Sequence, residues 1–308
     1  MKMPALQFSP KSPMARAAVL CVVACLFFAG ANALGKAAQT VLPGPELHPL
    51  QVAAARFVFG FLTVSPLLFM RGPRALKTAM PLRHLQRVLL GFTGVLLGFW
   101  ALKTMALADA ISIMWSAPLF ALVFAAWFLR EHVGARRWLA AAIGFAGVVV
   151  LMRPGAGTLE PAALLALAAA FVTGAEVATI RVLAMRDSAV TILLINNALG
   201  VAIASALAAP FLVMPSFEQG LALAGVGMVM VSGQAIFLQS LKLAEASQIA
   251  PFYYATIVWA ALIGVVVFGE TLDWGFWLGA GLIAVGGLAV TRGRSRPADQ
   301  AAKSRITA

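Results

Sequence analysis

Long apolar segments separated by short polar connections run along almost the whole chain. A helix needs about 20 apolar residues to cross the hydrocarbon core of a bilayer, and most of the segments reach that length. The pattern therefore predicts an all-α integral membrane protein with ten transmembrane helices. The predicted spans are 15–35, 49–70, 84–106, 110–129, 134–152, 161–184, 189–213, 218–241, 247–268 and 273–291.

The second half of the chain repeats motifs of the first. Phe-Leu-Arg-Glu at 128–131 and Val-Phe-Gly-Glu at 267–270 are each followed by Trp-Leu and then by a glycine. Near the start of each half, Phe27–Asn32 similarly resembles Phe171–Glu176. Self-similarity at a fixed offset indicates that the fold is built from two copies of one unit.

Each copy contains five predicted helices, an odd number, so the second copy should enter the membrane upside down. The halves are predicted at 1–155 and 156–308. Inverted repeats of this kind are typical of secondary transporters, in which the pathway lies between the halves.

Composition and charge placement support this topology. The chain has 308 residues, of which 62% are hydrophobic and 11% charged, whereas a soluble domain carries about 25% charged residues. The net charge of +12 would suit nucleic acid, but the basic residues sit in the short connections. With the N-terminus inside, 19 of the 23 Lys and Arg residues, Arg87 among them, fall on the inner side, and Lys36, Lys103 and Arg153 fall on the outer side. Positive charge resists translocation, so both termini are predicted to be cytoplasmic and the membrane to be the inner one.

The repeated motifs identify a family. The chain resembles the drug/metabolite transporter superfamily, in its ten-helix group with two EamA-type domains. The motifs that carry the resemblance are Ala-Leu-Ala-Asp-Ala at 106–110 before Pro118 and Glu131, and Leu-Lys-Leu-Ala-Glu-Ala at 241–246 before Trp259 and Glu270. The resemblance implies inverted five-helix halves around a central cavity that carries small metabolites.

One departure from the family pattern concerns the bending of the helices. The fourth span contains Pro118, but the ninth span has Ile257 at the matching position and its proline earlier, at Pro251. The sequence therefore predicts that the two spans bend differently.

Ionisable side chains within a span are rare and costly unless they are paired or face water. Glu176 in the sixth span is predicted either to couple protons or bind a cation, or to form a structural pair with Arg181 or Arg56. Arg56 in the second span could bind an anionic group, or its long stem could reach the outer interface.

Aromatic and amide side chains complete the candidate binding set. Aromatic rings stack on flat solutes, although packing, helix–helix hydrogen bonds and the interfacial aromatic belt are the alternatives. Asn32 is the counterpart of Glu176 in the first half, and at most one of the adjacent Asn196 and Asn197 can face a cavity. The predicted substrate-binding residues are Asn32, Trp100, Trp115, Glu176, Asn196, Gln234, Tyr253 and Tyr254.

Other residues are given structural roles. Glu131 and Glu270 lie at helix ends, where each is expected to cap the helix that follows. The sequence contains no Gly-Lys-Ser/Thr phosphate loop, no clustered metal ligands and no Ser/His/Asp set. We therefore expect no enzymatic activity, no cofactor and no metal.

These features predict a secondary transporter that moves a small organic metabolite by alternating access, driven by a gradient. Its expected partners are the solute and the lipid bilayer, not nucleic acid, and assembly as a homodimer is left open. One alternative is an importer of a vitamin such as riboflavin, or of a nucleoside-like compound, rather than an exporter of amino acids or other metabolites. A structural or sensory membrane protein is the non-carrier alternative.

Overall fold

All regular secondary structure that the computed structural model describes is helical, in residues 13–128, 134–152, 161–184, 186–243 and 252–292. The helices are α1 (Pro13–Thr40), α2 (Pro49–Arg71), α3 (Pro81–Thr104), α4 (Leu107–Met114), α5 (Ala117–Phe128), α6 (Ala135–Met152), α7 (Pro161–Ala184), α8 (Ala189–Ala208), α9 (Phe217–Leu243), α10 (Ala255–Phe268) and α11 (Trp274–Arg292).

The lengths and hydropathy of these helices confirm a multi-pass membrane protein. Six stretches are long and apolar enough to cross a bilayer: Pro13–Thr40, Pro49–Arg71, Pro81–Thr104, Leu107–Phe124, Val190–Phe211 and Phe217–Phe237. Four shorter apolar helices accompany them, at Trp138–Leu151, Pro161–Val177, Ala255–Phe268 and Trp274–Ala289. Each stretch falls within one of the ten predicted spans, apart from differences of a few residues at the ends.

Helix contacts follow the two-fold symmetry of the repeat. α1 packs on α9, and the equivalent helices α7 and α3 pack on each other. Along the first pair, Phe28 meets Gly233 and Leu34 meets Gly225, so the chain directions are opposed. Small residues let helix backbones approach closely in a membrane, and glycine fills these contacts.

Two further pairs of equivalent helices from the two halves are also antiparallel. In the pair α6 and α11, Gly144 lies against Gly286, and Gly147 lies against Gly279. α2 likewise packs on α8, where Phe57 covers Gly200. Helices of the two halves therefore pack directly on each other, and the main core cluster contains residues of both halves.

The fourth and ninth spans are interrupted at equivalent positions. α4 ends at Met114 and α5 begins after a turn at Trp115 and Ser116, while the ninth span turns at Tyr254 before α10 begins. The turn of the fourth span lies directly before Pro118, and the expectation that the two spans bend differently stays a prediction. Side-chain hydroxyls assist both turns: Ser116 donates to the carbonyl of Ile113, and Thr256 donates to that of Tyr253. Pro251 itself lies outside the described residues.

Candidate functional site

Three charged side chains from three helices approach one another inside the bundle. The Nε atom of Arg87 on α3 lies 3.8 Å from Oε1 of Glu176 on α7. The Arg87 side chain is 8% exposed and that of Glu176 is 18% exposed. Arg56 on α2 interacts electrostatically with both. Glu176 is therefore paired with Arg87, which is not one of the two predicted partners, Arg181 and Arg56, and it retains some access to water.

The arginines are held by different means. A guanidinium N–H of Arg87 donates a 3.4 Å hydrogen bond to the carbonyl of Ile192 on α8, whereas the buried Nε has no hydrogen-bond partner within the described residues. The guanidinium carbon of Arg56 lies 5.4 Å from the centre of the Phe57 ring, within the range of a cation–π contact. Arg56 thus turns toward its neighbours within the bundle.

Glycine makes room for the carboxylate. A Cβ atom on Gly91 would lie 2.9 Å from Oε1 of Glu176, and one on Gly94 would lie 2.8 Å from the hydroxyl of Thr173. Arg87, Gly91 and Gly94 are spaced at i, i+4 and i+7, which places them on one face of α3. This face packs on α7 and brings the arginine to the carboxylate.

A second group of side chains is aromatic and surrounds Tyr253. The Trp115 ring meets the Tyr253 ring edge to face at 4.3 Å, and Phe237 of α9 stacks on Tyr253 at 4.6 Å. Phe28 of α1 adds an edge contact to Tyr253 at 5.8 Å. Because the two spans break at Trp115 and Tyr254, these side chains point into a junction of four helices.

Tyr254 lies beside this group but differs from Tyr253 in its burial. Its ring is 6.0 Å from that of Trp115, and the residue is 8% exposed. Its hydroxyl oxygen has no hydrogen-bond partner among the residues described. A buried hydroxyl without a partner is costly, and this one is packed against Gly287 of α11.

The other predicted binding residues are distributed more widely. Asn32 is half-buried, and its amide donates to the carbonyl of Phe28 at 2.9 Å, which leaves its oxygen for another partner. Gln234 is half-buried beside Gly233, which packs on Phe28. Asn197 is the buried member of the asparagine pair and lies against Gly60 of α2, whereas Asn196 is half-buried.

Trp100 lies in neither the charged group around Glu176 nor the aromatic group around Tyr253. It is 42% exposed and meets the ring of His48 at 5.7 Å. His48 in turn stacks on Phe211 at 4.3 Å and caps the start of α2 by accepting a hydrogen bond from the Leu50 N–H. Trp100 lies near the end of α3, and there its ring covers a helix start rather than the centre of the bundle.

Arg87 is the residue that the sequence analysis missed. It was counted among the inner basic residues because it stands close to the start of the third span. The structure buries it instead, since a carboxylate on the neighbouring helix offsets part of its charge. The sequence carries one signal of this position, namely the two glycines that follow Arg87 on the same helix face.

Lys36 and Glu270 also differ in the structure from their predicted roles. Lys36 was placed among the outer charges, but it is buried and its ammonium nitrogen lies 2.5 Å from a carboxylate oxygen of Glu270. The same ammonium group donates to the carbonyl of Met105. Glu270 does act as a helix cap, but of α4 rather than of the next helix, because it accepts from the N–H groups of Leu107 and Ala108. Its counterpart Glu131 lies outside the described residues.

Further polar contacts hold the connections at this end. The amide of Gln219 donates to the carbonyls of Ala38 and Pro45, and the amide of Gln51 exchanges two hydrogen bonds with the backbone of Val213. These bonds tie the start of α9 and the connection before it to α1 and α2. Together with the Lys36–Glu270 pair, they join the two halves at this end of the described bundle.

The opposite end of α3 carries a separate contact. His84 lies 2.7 Å from the carboxylate of Asp187, and the hydroxyl of Thr78 donates to the same oxygen at 2.6 Å. Burial acts to raise the pKa of Asp187, but these two hydrogen bonds outweigh it and leave the pKa below its usual value. The described residues contain no cluster of three His, Cys, Asp or Glu side chains arranged to hold a metal ion.

Comparison with known proteins identifies the family and similar members. The family model for the "EamA-like transporter family" matches residues 15–153 and 160–292. An S-adenosylmethionine uptake transporter of Rickettsia felis is 28% identical over 75% of this chain and 78% of its own length. A riboflavin transporter of Vibrio cholerae is 31% identical over 76% of this chain and 80% of its own length.

Two further matches extend over most of the chain. A riboflavin transporter of Brucella anthropi is 28% identical over 90% of this chain and 100% of its own length. A solved crystal structure shares the fold with a TM-score of 0.62 and 22% identity, over 89% of this chain and 96% of that chain. The family resemblance predicted from the repeated motifs is thereby confirmed, and the chain belongs to the EamA-like transporter family.

Proposed function

We propose that this protein is a secondary transporter that carries a small organic metabolite across the inner membrane by alternating access, without ATP hydrolysis. The observation that carries the proposal is the placement of polar and aromatic groups where two inverted halves meet. Arg56, Arg87 and Glu176 lie on helices of both halves, and the Trp115–Tyr253 contact also joins the halves. A binding site between inverted repeats can open to either side by rocking of one half against the other.

The contacts between the halves at the Lys36 end support a conformational cycle of this kind. Lys36 of the first half and Glu270 of the second form a buried ion pair there, and the Gln51 and Gln219 hydrogen bonds join further segments of the two halves. Opening this end requires these bonds to break together. Under the predicted topology it is the end that faces away from the cytoplasm.

The aromatic group favours a solute with a flat ring system. Tyr253 and Trp115 present ring faces and edges that can stack on a planar heterocycle. S-adenosylmethionine and riboflavin, for which the similar transporters are named, each contain such a ring. We propose uptake as the direction, as the name of the Rickettsia protein states for that transporter.

The proposal is tested with purified protein in proteoliposomes. Counterflow of radiolabelled riboflavin and of labelled S-adenosylmethionine should exceed that of protein-free vesicles for at least one compound. Trp115→Ala should reduce the affinity for that solute, whereas Trp274→Ala should not, because Trp274 is 79% exposed at the start of α11. Absence of flux for these compounds and for a wider metabolite panel would argue for the structural or sensory alternative.

Glu176 has a testable role within this proposal. If its carboxylate couples transport to protons, Glu176→Gln should abolish uptake or remove its dependence on pH. Flux that keeps the pH dependence of the unchanged protein would assign Glu176 to the structural ion pair alone.

A further inference from the structure

We infer that Arg56 and Arg87 form a binding site for an oxyanion group of the transported solute, a carboxylate or a phosphate, and that Glu176 occupies this site when no solute is bound. The inference rests on the proposed transport function and specifies the class of solute. It is carried by the charge balance and the hydrogen bonding of the three side chains.

The charge balance of the group favours one additional anion. Two guanidinium groups face one carboxylate. Both arginines interact electrostatically with Glu176, and Arg56 also interacts with Arg87. An uncompensated positive charge inside a membrane protein is costly. A carboxylate or phosphate of the solute would offset this charge, and arginine binds both groups through parallel N–H donors.

The hydrogen bonding of Arg87 leaves one buried donor without a partner. Its residue exposure is 7%, so more than nine-tenths of it is buried, yet its Nε has no hydrogen-bond partner among the described residues. The Glu176 oxygen is 3.8 Å away, which is beyond hydrogen-bond distance. The donor therefore points at a carboxylate that does not satisfy it, and an oxyanion seated closer would.

Glu176 is placed to leave the arginines when a solute enters. Its side chain is 18% exposed. Among the described residues it makes the 3.8 Å ion pair with Arg87 but no hydrogen bond. Gly91 adds no side chain beside it. The carboxylate is thus held by charge and not by a fixed set of hydrogen bonds, and it competes with the solute for the same guanidinium groups.

The first experiment needs no knowledge of the solute. Thermal unfolding of the full chain in lipid nanodiscs is followed in sodium chloride, sodium acetate and sodium phosphate at equal ionic strength. Acetate or phosphate should raise the melting temperature in a saturable manner, and the better of the two distinguishes a carboxylate site from a phosphate site. Equal melting temperatures in all three salts would overturn the inference, whether or not the protein transports any compound.

Variants separate binding from packing. Arg87→Gln should weaken the apparent affinity for the stabilising anion about tenfold, and Arg87→Lys should weaken it less because the charge remains. Lys103→Gln is the matched control, since it removes one positive charge at a partly exposed position away from this group. If Arg87→Gln does not fold, Arg56→Gln provides the same measurement.

The decisive variant changes the affinity in the opposite direction. Glu176→Gln removes the competing carboxylate, so anion affinity should rise about tenfold. A residue with a purely structural role would lower stability without improving anion binding. Unchanged or weaker anion binding in Glu176→Gln would overturn the inference, and this readout does not depend on flux, so it is independent of the test of transport.

Discussion

Lys36 and Glu270 come from opposite halves of the chain and form a buried ion pair, with 2.5 Å between the ammonium nitrogen and the carboxylate oxygen. The pair does more than join two charges. Lys36 also donates to the carbonyl of Met105 at the end of α3 and lies 4.8 Å from the centre of the Phe268 ring. Glu270 supplies the cap of α4. One ion pair thus fixes the relative positions of α1, α3, α4 and α10.

Removal of Lys36 should destabilise the protein strongly. Breaking a buried pair by removing one partner leaves the other charge without compensation and costs about 3–5 kcal/mol. Lys36→Met should lower the free energy of unfolding by about this amount, measured by reversible unfolding in mixed detergent micelles. The double variant Lys36→Met/Glu270→Gln should be more stable than the sum of the single effects predicts.

The chain contains its own control for this experiment. Lys103 pairs with Glu46, whose side chain is 76% exposed, and solvent screening leaves exposed pairs with little effect on stability. Lys103→Met should therefore have a small effect. Similar losses of stability for Lys36→Met and Lys103→Met would show that burial of the Lys36 pair does not determine its contribution.

Gly91 should be required for the geometry of the charged group rather than for folding. In Gly91→Ala, the new methyl group would lie 2.9 Å from Oε1 of Glu176, so the carboxylate must move. We expect an intact fold with impaired solute uptake in proteoliposomes. Gly281→Ala is the matched control because a Cβ at that position meets nothing within 4 Å, and it should leave uptake unchanged. Equal uptake by both variants would contradict the assigned role of Gly91.

The fold could be predicted further than the site. Hydropathy alone indicates the spans because a lipid-facing helix cannot include many charges, and the repeat then gives the pairing of the halves. The turns at Trp115 and Tyr254 are harder to predict, because each involves a local hydrogen bond from a hydroxyl group, of Ser116 or of Thr256, that hydropathy does not reveal.

The site depends on contacts between distant segments, which span prediction does not supply. Arg87 and Glu176 are each visible as charges, but their approach follows from the close packing of α3 on α7 at Gly91. Glu270 illustrates the same limit. Its position after a helix predicted a cap for the next helix, whereas the folded chain presents it to α4.

The cap at the start of α2 should respond to pH. His48 Nδ1 accepts a hydrogen bond from the Leu50 N–H at 3.2 Å, which requires a neutral ring. Burial and the positive charge of Lys103 lower the pKa of His48. The pKa of His48 is lower in the folded protein than in the unfolded chain. The contribution of His48 to the free energy of unfolding is therefore fully present above about pH 6.5, and it declines as the pH falls through the unfolded pKa toward the folded pKa.

Two variants isolate this contribution. His48→Ala should lose about 1 kcal/mol of stability at pH 8, the usual effect of removing a helix cap. His48→Asn keeps an accepting side chain that does not titrate in this range, so its melting temperature should vary less between pH 8 and pH 5. The same variation in the Asn variant as in the unchanged protein would assign the pH response to other groups.

Tyr254→Phe should separate solute binding from stability. The Tyr254 hydroxyl is buried without a partner in the part of the chain that the structure describes, so its removal should leave the melting temperature of the solute-free protein unchanged or slightly raised. If the solute uses this hydroxyl, its affinity should fall about three- to tenfold, as expected for one hydrogen bond. A lower melting temperature with normal affinity would show that the hydroxyl serves the fold.

The orientation in the membrane should follow the distribution of basic residues. The connection 72–80 between α2 and α3 is predicted to be cytoplasmic, and the connection 41–48 between α1 and α2 is predicted to be outside. Alkaline phosphatase is active only after export, so a fusion after Gly44 should be active and one after Lys77 inactive. The opposite result would place the Lys36–Glu270 pair at the cytoplasmic end and reverse which side of the membrane that ion pair closes.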